Sequence, residues 1–198
     1  MFRELLGTPG VVEELELRSS VGFLAFHGGA LERQTDVIAR DAAERSGASL
    51  YAVVQPDGLR WHVPSRLVSP DDSPSLRAFL EHVEVAFAVH GFGRDGMWTS
   101  LLLGGSNRRL ATHVAAALRP ALPDYTVIDD LDEIPVDLRG LHPRNPVNLP
   151  AGGGVQLELP PRVRGTTPHW EGWEGPGHCP PMEALVDALA AAAATFAL

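Results

Sequence analysis

The sequence predicts an α/β fold in which a mixed, mostly parallel central sheet carries helices on both faces, with residues 1–198 forming one domain. Apolar runs of strand length alternate along the chain with stretches of helical spacing, which is the order typical of this fold class. The length of 198 residues is enough for one substantial core and short for two. A hydrophobic content of 44% and a mean hydropathy of -0.01 are those of a globular protein rather than a disordered or fibrous one.

The first quarter of the chain predicts two strands and a helix. Residues 11–18, VVEELELR, alternate as an edge strand does, whereas the continuous apolar run at 21–26, VGFLAF, is typical of a central strand. From residue 32 to 46 the apolar side chains follow helical spacing, and Gly47 is a natural helix stop.

The second quarter predicts a hairpin, a short helix and another buried strand. The strands at 49–55 and 59–65 are separated by Pro-Asp-Gly, a strong turn signal, and we therefore expect them to pair. Residues 69–82 predict a loop and a helix capped by Asp or Ser. The run VEVAFAVH at 83–90 predicts a buried strand.

The second half of the chain predicts further strands and helices around two irregular segments. The predicted elements are a strand at 98–105, a helix at 106–120 that stops at a proline, a strand at 125–129, an irregular connection at 134–148 and a strand at 154–160. Residues 161–181 are rich in Gly, Pro and Trp, which predicts a long structured loop of the kind that often covers a site. The Ala-rich spacing of 182–198 predicts a C-terminal helix.

Charge and composition exclude several classes of partner. The net charge of -9, with arginine as the only strong base, argues against nucleic-acid binding, which depends on clustered cations. No apolar stretch is long enough to span a bilayer, so no membrane partner is expected. The N-terminal residues lack the apolar core of a signal peptide and the chain has one cysteine, which together predict a cytoplasmic protein.

Two predicted strands end in a histidine followed by glycine, namely His27 in FLAFHGGALE and His90 in VEVAFAVHGFG. The carboxyl ends of the strands are where α/β sheets bind ligands, so both side chains are expected at that edge. Glu32 would return beside His27 from the first turn of the following helix. A catalytic zinc site uses three such ligands, and His27, Glu32 and His90 supply them. The alternative is that both histidines bond backbone carbonyls and Glu32 is an ordinary first-turn acid.

Five segments resemble, in this order, the motifs of the poly-γ-glutamate hydrolase family, which comprises zinc enzymes of phages and bacteria. The segments are AFHGGALE, WHVPS, FAVHGFG, LLLGGSNRRL and GVQLELPPRVR. The resemblance covers residues 20–165 and implies a fold like that of the zinc carboxypeptidases. It also implies that His27, Glu32 and His90 bind zinc and that Glu158 is the catalytic carboxylate.

The chemistry of Glu158 agrees with that role. In GVQLELP it alternates with apolar neighbours, and a carboxylate in an apolar strand needs a partner or a task. Beside water acidified by zinc it would act as general base and then as general acid. The alternative is a salt bridge with Arg162 or Arg164, which is the preferred reading if the resemblance is set aside.

Arginines and asparagines are the candidate substrate ligands. In a carboxypeptidase-like mechanism one arginine steadies the developing oxyanion and another holds a substrate carboxylate. Arg162 is our first candidate for the catalytic arginine, Arg109 our second, and Arg108 a candidate for substrate binding. Asn145 and Asn148 are candidates for binding substrate amides, although turn formation is the simpler reading. His62, in WHVPS, is expected to be a half-buried hairpin residue away from the site.

The sequence thus leads to the hypothesis of a zinc-dependent amide hydrolase, a metallopeptidase of the carboxypeptidase type. Its partner would be an anionic peptide or acyl-amino-acid substrate, with γ-glutamyl bonds as the leading choice. One alternative is a zinc amidohydrolase acting on small N-acyl amino acids such as N-formylglutamate. The other is a non-catalytic binding domain with the same fold.

Overall fold

A computed structural model, which describes all residues 1–198, contains one seven-stranded sheet and five helices. The strands are β1 (Val12–Glu16), β2 (Val21–Gly29), β3 (Ser49–Gln55), β4 (Val85–Gly91), β5 (Ser100–Gly104), β6 (Thr126–Ile128) and β7 (Gly154–Leu159). The helices are α1 (Phe2–Leu6), α2 (Thr35–Ser46), α3 (Pro74–His82), α4 (Arg108–Ala121) and α5 (Pro180–Thr195). None of the helices is long and apolar enough to cross a membrane.

The sheet has the order β1-β3-β2-β4-β7-β5-β6. Strands β3, β2, β4 and β7 are parallel neighbours, and β6 is parallel to β5. Strand β1 is antiparallel to β3, and β5 is antiparallel to β7. The predicted mixed, mostly parallel sheet is therefore confirmed. Because β2, β4 and β7 are parallel, their carboxyl ends meet at one edge.

Helices cover both faces of the sheet, as predicted, but they cover them unequally. Helices α2, α4 and α5 pack on one face over a core of 35 buried residues, in which Phe23 of β2 stacks on Phe87 of β4. The short helices α1 and α3 pack on the other face over a core of 14 buried residues, which includes Tyr51 and Phe79. The smaller core leaves part of the second face open near the carboxyl ends of the strands.

The predicted hairpin between residues 49–55 and 59–65 is wrong. Residues 56–64 form no strand, and β1 pairs with the edge of β3 that this hairpin would have used. The side chain of Gln55 instead holds the returning segment: its Nε2 donates to the carbonyl of Trp61 at 3.0 Å, and its Oε1 accepts from the Trp61 N–H at 2.9 Å. The segment after β3 is thereby directed over the carboxyl edge of the sheet.

Several helix boundaries differ from the predicted ones for local reasons. Helix α2 begins at Thr35 rather than at residue 32, because Gln34 at its N-cap adopts a left-handed conformation with φ of 74°. Helix α4 includes Pro120 in its last turn instead of stopping before it. Helix α5 begins two residues earlier than predicted, at Pro180, a residue that suits the first turn of a helix. Residues 161–179 contain no strand or helix, in agreement with the predicted long loop.

Candidate metal and catalytic site

A cavity of about 540 Å³ opens on the less covered face at the carboxyl edge of the sheet. His27 near the end of β2, His90 at the end of β4 and Glu158 near the end of β7 all line it. The parallel arrangement of these strands brings together side chains that lie up to 131 positions apart in the sequence.

His27 is held at both ring nitrogens. Its Nδ1 lies 2.8 Å from Oε1 of Glu32, and its Nε2 donates to the backbone carbonyl of Val63 at 2.8 Å. The pairing of β2 with β3 shifts register between Ala25 and Gly28, so the strand is irregular at the point where His27 is presented. The imidazole is therefore fixed in orientation, with Nδ1 directed at the carboxylate.

Glu32 joins the ends of β2 and β4. Its Oε2 lies 3.4 Å from Nδ1 of His90 and accepts the Gly91 N–H at 2.8 Å. The backbone N–H of Glu32 donates to the His27 carbonyl at 2.9 Å, which places this residue in the turn after β2. The expected position in the first turn of a helix is therefore wrong, but Glu32 still lies beside His27, as we predicted.

The opposite charges of Glu32 and His90 stabilise each other in a buried environment. Burial alone would raise the pKa of Glu32, but the charges and hydrogen bonds of His27 and His90 outweigh it and hold the pKa well below its usual range. Burial alone would lower the pKa of His90, but Glu32 and, to a smaller extent, Glu158 raise it. The Nε2 atom of His90 is buried and has no hydrogen-bond partner. A polar atom in that state needs a ligand.

His62 belongs to the site, contrary to our expectation of a hairpin residue away from it. Its ring centre is 4.8 Å from that of His27, and it lines the cavity. One potential ligand atom each from His27, Glu32 and His62 lie within 4.8 Å of one another, which is close enough to hold a metal ion. Burial and the neighbouring His27 lower the pKa of His62. His62 differs from His90 in being exposed at the mouth of the cavity.

Glu158 lies beside His90, because the two residues are register partners in the pairing of β4 and β7. Its Oε1 accepts from Gln156 Nε2 at 2.8 Å, and Gln156 Oε1 accepts from Asn145 Nδ2 at 2.7 Å. Glu158 is 5% exposed, and burial, with a contribution from the negative charge of Glu32, raises its pKa to about 7. A carboxyl group with this pKa is suited to exchange protons near neutral pH.

The alternative salt bridge of Glu158 with Arg162 or Arg164 is not formed. The guanidinium of Arg164 donates to the backbone carbonyls of Leu159 and Arg33. The guanidinium of Arg162 lies over the ring of Tyr125, 6.0 Å from its centre, and does not line the cavity. The Arg162 side chain packs on Tyr125 outside the cavity, so its proximity to Glu158 in sequence is not proximity in space.

Arg109 and Arg108 also lie outside the cavity, contrary to our expectation that they reach the same edge. Arg109 donates to the carbonyl of Ala197 and covers the ring of Phe196 at 4.5 Å, on the face packed by α5. Arg108 donates to backbone carbonyls, including that of Leu103. Both side chains stabilise the ends of secondary structure elements.

The two asparagines differ in position. Asn145 lines the cavity and continues the hydrogen-bond chain to Glu158. Asn148 is not among the lining residues, and its side chain bonds the backbone of Ser106, Gly140 and His142, which is the turn role. The long loop at 161–181 does not line this cavity either.

Several residues of the cavity were not identified from the sequence, and Arg66, Gln156 and His142 are among them. Arg66 lines the wall formed by the segment after β3, and its guanidinium has no hydrogen bond or ion pair within the chain. Gln156 and His142 also line the cavity. The alternation of Gln156 with Glu158 in β7 was a usable signal, whereas nothing in the local sequence distinguishes Arg66 from an ordinary surface arginine.

Gly29, the second glycine after His27, has no room for a side chain. A β-carbon at Gly29 would lie 2.1 Å from the carbonyl oxygen of Gln55, and the φ of 70° is left-handed. We expect Gly29→Ala to lower the free energy of unfolding by about 3 kcal/mol, the sum of a conformational and a steric cost.

Gly47 offers a matched control, since it has the same φ of 70° but no atom within 4 Å of the added carbon. Gly47→Ala should therefore cost only about 1 kcal/mol, from the backbone conformation alone. Denaturant unfolding of both variants measures the difference. Equal losses would show that the close approach of Gly29 to Gln55 has no energetic weight.

The fold and the site together define a class. The chain is a mixed α/β protein of the zinc-carboxypeptidase-like fold, with histidines and carboxylates gathered at the carboxyl edge of its sheet. The model of one family, the poly-gamma-glutamate hydrolases, matches residues 7–167, and the chain belongs to that family of hydrolases. Among curated proteins, none matches this sequence.

Solved structures agree with the fold. A bacteriophage poly-gamma-glutamate hydrolase is 24% identical with a TM-score of 0.76, covering 93% of this chain and 89% of that one. The protein YNDL in a zinc-free apo form is 22% identical with a TM-score of 0.65, covering 78% and 73%. A gene product from Agrobacterium tumefaciens is 11% identical with a TM-score of 0.54, covering 91% and 94%.

Proposed function

We propose that the protein is a zinc-dependent hydrolase that cleaves γ-glutamyl or similar amide bonds in an anionic peptide. The observation that carries this proposal is the placement of the Glu32 carboxylate between His27 and His90, with Glu158 on the adjacent strand of the same cavity. Family membership supports the class of reaction, and the zinc-free description of YNDL supports zinc as the metal.

The donor set fits a divalent cation. His27 donates its Nε2–H to the Val63 carbonyl, an arrangement that commonly orients a metal-binding imidazole and leaves the other nitrogen for the ion. His90 contributes Nδ1, which lies 3.4 Å from Oε2 of Glu32, and Glu32 contributes a carboxylate held in its charged form. Two imidazoles and a carboxylate are a ligand set of catalytic zinc sites.

His27, Glu32 and His90 are the ligands we propose, with His62 outside the ligand set. His90 is buried and lies against both Glu32 and Glu158, so an ion there would also be close to the candidate base. His62 is exposed at the mouth of the cavity, where it is free to contact substrate. The compact grouping of His27, Glu32 and His62 is the competing ligand set. Zinc content in the variants His62→Ala and His90→Ala distinguishes the two sets.

A zinc ion at this place would supply Lewis-acid chemistry, polarising the scissile carbonyl and acidifying water. Glu158 takes a proton from the attacking water at its carboxylate and returns it to the nitrogen of the leaving amine. Gln156 donates to one carboxylate oxygen of Glu158, and Asn145 fixes the Gln156 amide in turn. This chain of hydrogen bonds sets the direction in which the free carboxylate oxygen faces the cavity.

Arg66 replaces Arg108 as the proposed ligand for a substrate carboxylate. It lines the cavity and its guanidinium has no acidic partner in the chain. Guanidinium groups bind carboxylates in a bidentate manner. We expect Arg66→Gln to raise KM for an anionic substrate about tenfold, with kcat changed much less, because the contact is present in both ground and transition states. Arg66→Lys should recover part of the loss, and steady-state kinetics measure both. An unchanged KM in Arg66→Gln would exclude this role.

The substrate class is tested by assaying the zinc-loaded protein on three kinds of amide substrate. Hydrolysis of γ-linked polyglutamate, with little or none of α-linked polyglutamate, is the expected result. Activity confined to N-formylglutamate or other small acyl amides would replace the polymer by a small substrate. Zinc binding without hydrolysis of any of them would favour a binding domain that keeps the metal.

A further inference from the structure

A second cavity of about 340 Å³ lies at the same sheet edge, on the other side of the turn that follows β2. Its charged lining comprises Arg33, Asp36, Asp57 and Arg60, and Gln34 contributes an amide. None of these residues takes part in the cluster of His27, Glu32 and His90. The proposed reaction therefore leaves this cavity without a role.

The two arginines of the second cavity are exposed, and their guanidinium groups make no hydrogen bond or ion pair within the chain. The arginines that do pair with a carboxylate are Arg3, Arg18, Arg40, Arg45, Arg77, Arg94 and Arg119. Free guanidinium groups beside a cavity are available to an anionic ligand.

The two aspartates of the second cavity do not cancel this capacity. Asp36 is 6% exposed, and its carboxylate accepts the Gly29 N–H at 2.9 Å and lies 3.8 Å from Arg40. Asp36 is thus held by contacts other than the two free arginines, although Arg40 is shared with Glu14. Asp57 is exposed and makes no ion pair with Arg33 or Arg60, so both guanidinium groups remain available even though the charged lining sums to zero.

The same two chain segments form the walls of both cavities. Glu32 lines the first cavity and the next residue, Arg33, lines the second. Likewise His62 lines the first cavity, and Arg60, two residues before it, lines the second. Two residues of extended chain span at most about 7 Å, so the backbone of Arg33 lies close to that of Glu32, and the backbone of Arg60 close to that of His62.

The backbone supports a functional reading of this wall. Gln34 is the only residue other than glycine with positive φ, 74°, and it follows Arg33 directly. Residues held in the left-handed conformation cost about 1 kcal/mol or more and cluster at ligand sites. Here the left-handed turn places Arg33 and Gln34 along the second cavity before helix α2 begins.

We infer that the second cavity is a carboxylate subsite that binds a glutamyl unit displaced from the scissile bond, with Arg33 and Arg60 as its ligands. This inference rests on the proposed function. In a γ-linked substrate every glutamyl unit carries a free α-carboxylate. A substrate that crosses the catalytic cavity therefore presents the carboxylate of its next unit to the second cavity. Short substrates that do not extend past the catalytic cavity leave the subsite empty.

The test is the dependence of kcat/KM on substrate length in the zinc-loaded protein, measured for γ-glutamyl oligomers of increasing length and for the polymer. In the double variant Arg33→Gln, Arg60→Gln, kcat/KM for the long substrates should fall about tenfold or more, while the shortest cleaved oligomer is hydrolysed as by the wild type. The double variant Arg3→Gln, Arg77→Gln is the control, because it removes the same two charges from exposed positions outside both cavities. It should behave as the wild type at every length.

Each outcome has a distinct meaning. A wild type that prefers long substrates and a double variant that has lost this preference support the subsite. A double variant with the same length dependence as the wild type overturns it and leaves the proposed function standing. Failure of the wild type to cleave any γ-glutamyl substrate contradicts the proposed function itself, independently of the arginines.

Discussion

Replacing Glu158 by Gln is expected to lower kcat by about 10²- to 10⁴-fold while bound zinc and thermal stability stay as in the wild type. An amide cannot take up and return the proton that the reaction moves, and general acid–base catalysis contributes a factor of this size. The substitution keeps the shape of the side chain and retains an oxygen that accepts from Gln156 Nε2, so the local hydrogen bond persists. Kinetics with a γ-glutamyl substrate, elemental analysis and thermal melting together measure the separation.

Glu81→Gln is the matched control for this experiment. Glu81 is exposed on α3, away from the cavity, and the same change of charge there should leave kcat unaltered. If the variant Glu158→Gln turned over substrate at the rate of the wild type, Glu158 would not be the proton carrier. A loss of zinc in that variant would instead make Glu158 part of the metal site.

The substitution His90→Ala is expected to abolish metal binding, so that the zinc content falls from about one ion per chain to close to none. Nδ1 of the buried His90 lies 3.4 Å from Oε2 of Glu32, so the variant removes a ligand from the proposed set. The double variant His27→Ala, His90→Ala should behave in the same way. Activity is lost in both, and elemental analysis after dialysis against zinc-containing buffer gives the metal content directly.

His62→Ala distinguishes the two possible ligand sets. We expect this variant to keep about one zinc per chain, because His62 is exposed and lies at the mouth of the cavity. The ring centres of His62 and His90 lie 4.8 and 5.0 Å from that of His27, so zinc content in the two variants is what separates the ligand sets. The reverse pattern, with zinc lost in His62→Ala and kept in His90→Ala, would assign the metal to His27, Glu32 and His62.

The central sheet was predictable because hydrophobic periodicity reports burial directly. The apolar runs that became β2 and β4 read as continuous buried strands, and strands of that type occur in parallel sheets flanked by helices. Once they are parallel neighbours, the positions of His27 and His90 at their carboxyl ends follow. The approach of Glu32 followed from the short gap after His27, even though the predicted start of the helix was three residues too early.

The walls of the cavity were not predictable, because irregular segments carry no periodic signal. His62 and Arg66 reach the site through the segment after β3, whose path depends on the hydrogen bonds between Gln55 and Trp61. Arg162 was misplaced because closeness in sequence to Glu158 was taken as closeness in space, whereas its side chain packs on Tyr125 outside the cavity. Tertiary contacts of this kind become visible only when the elements are packed.

The acidic edge strand also bears on how the protein resists association. A sheet edge exposes unpaired backbone groups that can recruit a strand from another molecule. Strand β1 presents Glu13, Glu14 and Glu16 within five residues, and β6 at the opposite edge has only three residues. The carboxylates of Glu14 and Glu16 form ion pairs with Arg40 and Arg18, so a second strand beside β1 would meet charged side chains, and a three-residue edge offers few backbone groups for pairing. Both edges therefore disfavour growth of the sheet into aggregates, without cost to the catalytic edge, which lies at the ends of the strands.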